Sequence, residues 1–192
     1  MGYIHIVGGE KKGKKIIVPP GGEVRPIQGV VRKALFEILK DDLLGSVVYD
    51  IFAGSGSLGL EALSRGARKA YFFEGNPRVC QILRRNIALC GYEDRAQVVR
   101  FDFWQARKFP RHLQAPDIVF LDPPFMYDIS EVVEKLYNFK VVIGDALVVL
   151  RSSRKNWRGR GLPFLELLDV RRYGKSVLLF GRLRSPEAEG LQ

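Results

Sequence analysis

From Val47 onward, short runs rich in β-branched and aromatic residues alternate with stretches of helical periodicity. Val47–Phe52, Ala70–Phe73, Gln97–Arg100, Asp117–Leu121 and Ala146–Arg151 read as strands. A helix over Ser57–Arg65, stopped by Gly66, separates the first two. Asn76 and Pro77 then supply a cap and a first-turn proline for a helix that runs to Gly91. A further helix is expected near Ile129–Tyr137. Such alternation predicts a parallel sheet, because parallel neighbours need a crossover and a helix is the usual one. Val47–Phe52 is apolar almost throughout, as befits a strand covered on both faces.

The ends of the chain break this rhythm. Tyr3–Val7 and Lys14–Val18 read as short strands joined by a turn containing Gly8, Gly9 and Gly13. Pro19-Pro20-Gly21-Gly22 interrupts the chain before a helix bearing Val31, Ala34, Leu35, Ile38 and Leu39. Leu165–Arg172 and Ser176–Leu183 flank Tyr173-Gly174-Lys175 as an antiparallel hairpin. The expected class is therefore α/β: a doubly wound, mostly parallel, Rossmann-like sheet with an antiparallel C-terminal hairpin and a small N-terminal β-hairpin extension. Residues 1–25 are expected to form that extension, packed on or near a main domain of residues 26–185. Residues 186–192 are expected to be a flexible tail.

Composition narrows the function classes. A chain of 192 residues suits one domain, and 46% hydrophobic residues suffice for a full core. There is no apolar run of the ~20 residues a membrane span needs and no basic-then-apolar leader, so a cytoplasmic protein without a membrane partner is expected. Cys80 and Cys90 are the only cysteines, which excludes a disulfide framework and a four-cysteine zinc site. Both read as small buried hydrophobes, and no metal is expected. The net charge of +10 favours polyanionic partners. Basic residues cluster at Lys11, Lys12, Lys14 and Lys15, at Arg151, Arg154, Lys155, Arg158 and Arg160, and at Arg171, Arg172 and Lys175. Any one cluster reads equally well as a solvated face, but the three together point to nucleic acid.

Directly after the first apolar strand comes Asp50-Ile51-Phe52-Ala53-Gly54-Ser55-Gly56-Ser57-Leu58-Gly59. Gly54, Gly56 and Gly59 satisfy G-x-G-x-x-G in the strand–loop–helix setting that gives the pattern meaning. The segment Asp50, Phe52, Ala53, Gly54, Ser55 and Gly56 is the candidate cofactor loop. Glu74, at the next strand end, is placed to accept bonds from two ribose hydroxyls. Asp102 is placed to accept from an adenine amino group while the Phe103 amide donates to the ring. A dinucleotide and S-adenosylmethionine both lie across such strand ends, so this half of the reading leaves the two open.

The strand Asp117–Leu121 ends in Asp122-Pro123-Pro124-Phe125. The prolines hold the backbone extended and remove two amide donors, which leaves a cluster of acceptors beside an aromatic ring. That suits a flat group bearing an amine: Asp122 and the Pro123 carbonyl take the two N–H hydrogens, and Phe125 stacks on the ring. Acceptors placed so favour a tetrahedral nitrogen and stabilise the positive charge that grows as it attacks a sulfonium methyl. Asp122, Pro123, Pro124 and Phe125 are thus the candidate catalytic residues, with Asp122 the principal polar one. An NAD oxidoreductase fits the glycine loop but leaves this motif unexplained.

With these motifs go Ile6-Val7-Gly8-Gly9, Lys12-Gly13-Lys14, Val24-Arg25-Pro26, Arg32–Phe36, Leu60–Ala67 and Tyr173-Gly174. Together they resemble the bacterial 16S ribosomal RNA guanine-N2 methyltransferases of the RsmD type over most of the chain. The resemblance implies S-adenosylmethionine as methyl donor, with S-adenosylhomocysteine as product, and a guanine gripped by residues 122–125. It implies ribosomal RNA as partner, within an assembling small subunit, and a monomer is expected. Lys11, Lys12, Lys14, Lys15, Arg25 and Arg32 are the expected RNA contacts. Ile27-Gln28-Gly29-Val30 departs from the family, which usually has Thr-Thr/Ser-Asp-Arg there, so a helix cap and a charge are missing. An amino-methyltransferase for another RNA or DNA base, and an RNA-binding relative without full catalysis, are the alternatives.

Overall fold

A computed structural model of the chain describes residues 2–20, 27–139 and 145–184. The chain forms two compact units, Met1–Ala106 and Arg107–Gln192. The first begins with β1 (Gly2–His5) and β2 (Lys15–Val18), an antiparallel pair in which Tyr3 faces Ile17 and His5 faces Lys15. Helix α1 (Gly29–Ile38) buries Val31, Arg32, Leu35 and Phe36, and the short helix α2 (Lys40–Leu43), which periodicity did not suggest, buries Leu43. Gln28 starts α1 without a side-chain cap, the deficit the Ile27–Val30 segment implied.

Next come β3 (Val47–Ile51), α3 (Ser57–Ser64), β4 (Lys69–Glu74), α4 (Pro77–Cys90) and β5 (Ala96–Arg100). β3 is buried at every position, as its composition predicted. Asn76 Oδ1 accepts from the amide of Arg78 at 2.9 Å, and Gly91 ends α4 in the left-handed region with φ 68°. Cys80 and Cys90 both lie on the buried face of α4, where burial pushes both thiols above their ordinary pKa.

The N-terminal hairpin is built into this unit by specific bonds. Glu61, fully buried on α3, accepts from the Val7 amide at 2.8 Å. Ser64 Oγ donates to the Gly8 carbonyl at 2.7 Å and accepts from the Lys11 amide at 2.9 Å. Gly9 sits so close to this helix that a Cβ would come within 1.8 Å of the Ser64 carbonyl oxygen, and its φ of +74° is one that side chains disfavour. On the other side, Asn86 of α4 pairs with both backbone groups of Ile17, each at 2.8 Å.

The second unit contains β6 (Ile118–Leu121), α5 (Ile129–Asn138), β7 (Leu147–Ser153), β8 (Leu165–Tyr173) and β9 (Ser176–Leu183). Within the first unit the strand order is β5-β4-β3, and within the second it is β6-β7-β9-β8. The pairs β3/β4, β4/β5 and β6/β7 are parallel; β9 joins β7 and β8 antiparallel. The C-terminal hairpin turns at Gly174, with φ 55°, between the partners Tyr173 and Ser176. Among the described residues no helix is long and apolar enough to cross a membrane. The expected tail and the Val24-Arg25-Pro26 segment lie outside the described residues.

Candidate active site

In the first unit the glycine loop is fixed from both ends. Asp50, 1% exposed, accepts the Gly59 amide at 2.9 Å, so one of the unpaired donors in the first turn of α3 is satisfied from β3. Asp50 is among the expected cofactor contacts, and its bond to the Gly59 amide also positions the helix that follows the loop. Phe52 takes a positive φ of 69°, rare for a residue with a side chain, and its ring lies 4.7 Å from that of Phe103. Gly54 and Gly56 also have positive φ, 55° and 80°. At Gly59 a Cβ would meet the Phe72 ring at 2.3 Å, so glycine here permits close packing of helix on strand. Ala53 and Ser55 are buried, and Ser55 Oγ has no hydrogen-bond partner among the described residues.

Glu74 ends β4 with its carboxylate turned back to the loop. It accepts from the Gly54 amide at 3.0 Å and the Asn76 amide at 2.8 Å, one on each oxygen. A carboxylate oxygen has two lone-pair sites, so each retains capacity for a ligand hydroxyl. Asp102 follows β5, and its Oδ1 accepts from the amides of Trp104 and Gln105 at 3.0 and 3.1 Å. This local turn holds an exposed acid in place. Phe103 is buried, edge-on to Trp104 at 5.3 Å.

Sequence reasoning missed Asn86. Its Nδ2 donates to the Ser55 carbonyl at 2.9 Å as well as to Ile17, which ties the N-terminal hairpin to the glycine loop through one fully buried side chain. The sequence carried a signal: Asn86 sits on the same helical face as Val79, Leu83, Ile87 and Cys90.

In the second unit, Asp122 leaves the end of β6. The parallel register aligns Leu121 with Leu150, so the next residues, Asp122 and Arg151, emerge side by side. Arg151 Nε lies 2.5 Å from Asp122 Oδ1 and its Nη2 2.9 Å from Oδ2. The side chains are 10% and 13% exposed. Burial pushes the Asp122 carboxyl above the ordinary carboxylate range, against the pull of Arg151's charge and hydrogen bonds. The Arg151 guanidinium also lies 4.8 Å from the centre of the Phe125 ring. It therefore serves the Asp-Pro-Pro-Phe segment rather than the charged surface its neighbours Arg154 and Lys155 form. Phe125 is 39% exposed and the Pro124 carbonyl accepts from the Tyr127 amide at 3.1 Å.

The expected RNA contacts fare differently. Lys12, Lys14 and Lys15 are exposed, while Lys11 is half-buried with its ammonium 5.8 Å from the Tyr92 ring. Arg32, at 2% exposure, points inward, donating to the His5 carbonyl and lying 3.8 Å from Glu61. Burial lowers its pKa, opposed by Glu61. Arg25 lies outside the described residues.

Residues 4–182 match the family model described as conserved hypothetical protein 95. Over 164 residues the chain is 37% identical to ribosomal RNA small subunit methyltransferase D of Escherichia coli, covering 84% of this chain and 79% of that one. The chain belongs to the RsmD family. The Haemophilus influenzae protein of the same name is 37% identical over 131 residues, 68% of each. Among solved structures, the Escherichia coli protein yhhF superposes with a TM-score of 0.79 at 30% identity, over 96% of this chain and all of the other. In this RsmD family member Gly8 and Gly9 pack against α3 and its C-cap Arg65 too closely to admit a side chain.

Proposed function

We propose that this chain methylates the exocyclic N2 amino group of a guanine in small-subunit ribosomal RNA. The coarser statement follows from family membership: it is an S-adenosylmethionine-dependent ribosomal RNA methyltransferase. The observation that carries the finer reading is Asp122, clamped by Arg151 at the end of β6 and followed by two prolines and a half-exposed aromatic ring.

The first unit has a donor and acceptor set that fits the methyl donor. Glu74 and Asp102 offer carboxylates at successive strand ends, for ribose hydroxyls and an adenine amine. Gly54 and Gly56 present backbone without side chains, and the buried Ser55 hydroxyl is a polar atom without a partner among the described residues. The chemistry that bound S-adenosylmethionine supplies is one electrophilic methyl group on a sulfonium.

Everything else falls to this chain's side chains. Asp122 accepts one N–H of the base amine and the Pro123 carbonyl the other, which localises the nitrogen lone pair otherwise delocalised into the ring. Phe125 stacks on the base, a contact worth ~1–3 kcal/mol for a typical base on an aromatic ring. Arg151 holds the carboxylate in one orientation, so positioning is settled before the amine arrives. The exposed lysines of the N-terminal hairpin, Lys12, Lys14 and Lys15, add sequence-independent attraction to phosphates. The reading places the protein in the cytoplasm, acting as a monomer on assembling small subunits.

The test is a reconstituted reaction with labelled donor and small-subunit RNA or particles. The reading expects label in N2-methylguanosine. Label in another nucleoside, or in DNA alone, removes the guanine-N2 assignment.

A further inference from the structure

Beyond the residues assigned to the target base, the second unit contains a cleft of about 460 Å³ that the reaction as described does not use. That volume lies within the ~300–1,000 Å³ of small-ligand sites. Its floor is apolar and firm: Ile129, Leu162 and Trp157 are 2%, 4% and 7% exposed. The Trp157 ring is held by its Nε1–H donating to the Arg160 carbonyl at 3.0 Å and by Arg172 at 5.5 Å from its centre. The lip carries Met126, a large apolar side chain left 82% exposed.

The rim is cationic. Lys155, Arg158 and Arg160 line the cleft, all are exposed, and none forms an ion pair among the described residues. Among the described lining residues the one acid, Asp128, uses Oδ1 to cap α5 through the Ser130 amide at 2.8 Å. The cleft is also joined to the target-base residues. Asn156 in its wall donates through Nδ2 to the carbonyl of Phe125 and lies 3.5 Å from that of Tyr127.

We propose that this cleft holds a nucleotide of the RNA strand flanking the methylated base. The flanking base covers the apolar floor, and Lys155, Arg158 and Arg160 take the phosphates. The inference rests on the RNA-methylating reading and adds a subsite to it. An enzyme that extracts one base must hold the strand beside it, and here an apolar-lined cleft, rimmed by cations that form no ion pair among the described residues, adjoins the segment that carries the stacking ring. An acidic protein segment would satisfy the rim but would leave the apolar lining without purpose.

The test is direct binding, independent of methyl transfer. A fluorescent single-stranded RNA oligonucleotide containing guanine is titrated across a salt series against wild type and the triple variant Lys155→Ala/Arg158→Ala/Arg160→Ala. A second triple variant, Arg78→Ala/Arg84→Ala/Arg85→Ala, removes the same charge from the exposed face of α4. The cleft variant is expected to lose affinity about tenfold or more, with a log–log salt slope shallower by about 2, since each single-strand phosphate contact contributes about 0.7. The α4 variant is expected to lose less and to keep its slope. In parallel, the oligonucleotide with 4-thiouridine on either side of the guanine is irradiated, and crosslinks are expected at Met126, Tyr127 or Trp157.

Equal losses in the two variants, or crosslinks confined elsewhere, would overturn the proposal. So would loss of binding to assembled particles with naked-RNA binding intact, which would assign the rim to an acidic protein. Binding and crosslinking as expected, without any methylated product, would support the cleft while removing the proposed reaction.

Discussion

Arg151 closes on both carboxylate oxygens of Asp122, at 2.5 and 2.9 Å, from the adjacent parallel strand. A bidentate guanidinium fixes both the distance and the plane of the acid it holds. The acid that the proposed reaction relies on is therefore oriented by a residue that sequence reasoning assigned to a basic surface cluster.

Arg151→Met should lower methyl transfer about 100-fold, the scale expected when a reacting group is misplaced by about 1 Å. Stability should fall by about 3 kcal/mol, because a largely buried charge loses its partner. Burial already raises the Asp122 pKa and Arg151 opposes it. The variant should therefore move the acid limb of kcat/KM to higher pH. The sign for stability runs the other way: a carboxyl with a raised folded pKa favours folding at low pH, and that contribution is lost as pH rises through the folded value. The variant should regain stability on acidification. A pH–rate profile with a urea titration at two pH values checks both.

Asn86→Leu keeps the branched heavy-atom skeleton but strands the amide and carbonyl of Ile17 and the carbonyl of Ser55. Unpaired buried groups cost about 1–3 kcal/mol each, so a loss of about 3 kcal/mol or more is expected. Because Ser55 belongs to the glycine loop, affinity for S-adenosylhomocysteine should drop as well. Calorimetry alongside chemical denaturation separates this from a purely structural effect, which would spare the affinity of the folded fraction.

Gly59→Ala places a methyl group 2.3 Å from the Phe72 ring, and overpacking of this kind costs about 1–3 kcal/mol. The shift should loosen the bond from the Gly59 amide to Asp50 and weaken cofactor binding. Thermal unfolding with and without S-adenosylhomocysteine reads both: a lower Tm, and a smaller ligand-induced rise than wild type shows.

The elements whose signals are local were legible in the chain. Asn76-Pro77, the loop at Gly54 and the Gly174 turn each announce a backbone conformation within a few residues. What escaped depends on partners far away in sequence: Asp122 with Arg151, Glu61 with Val7, Asn86 with Ile17. Arg32 shares one helical face with Leu35 and Phe36, three and four residues on, so the phase that buries it was readable in the chain. At Asp50 the sequence shows an acid beside a glycine loop, but not that it is buried against the Gly59 amide.

Glu74→Ala removes an expected ribose acceptor and the acceptor for the Gly54 amide together. Hydrogen bonds to a charged group are worth about 1.5–3 kcal/mol, so affinity for S-adenosylhomocysteine should fall at least tenfold. Wild type should be stabilised by S-adenosylhomocysteine and not by NAD. Stabilisation by NAD alone would return the glycine loop to a dinucleotide.

The central claim is that Asp122 and the residues after it hold a guanine amine for methylation. Nucleoside mass spectrometry of small-subunit ribosomal RNA, from cells lacking the gene and complemented with wild type or Asp122→Ala, tests it most directly. The account predicts that N2-methylguanosine drops by one residue per small subunit without the gene, returns with wild type, and stays absent with Asp122→Ala. An unchanged N2-methylguanosine content in the deletion, or full restoration by Asp122→Ala, would contradict it.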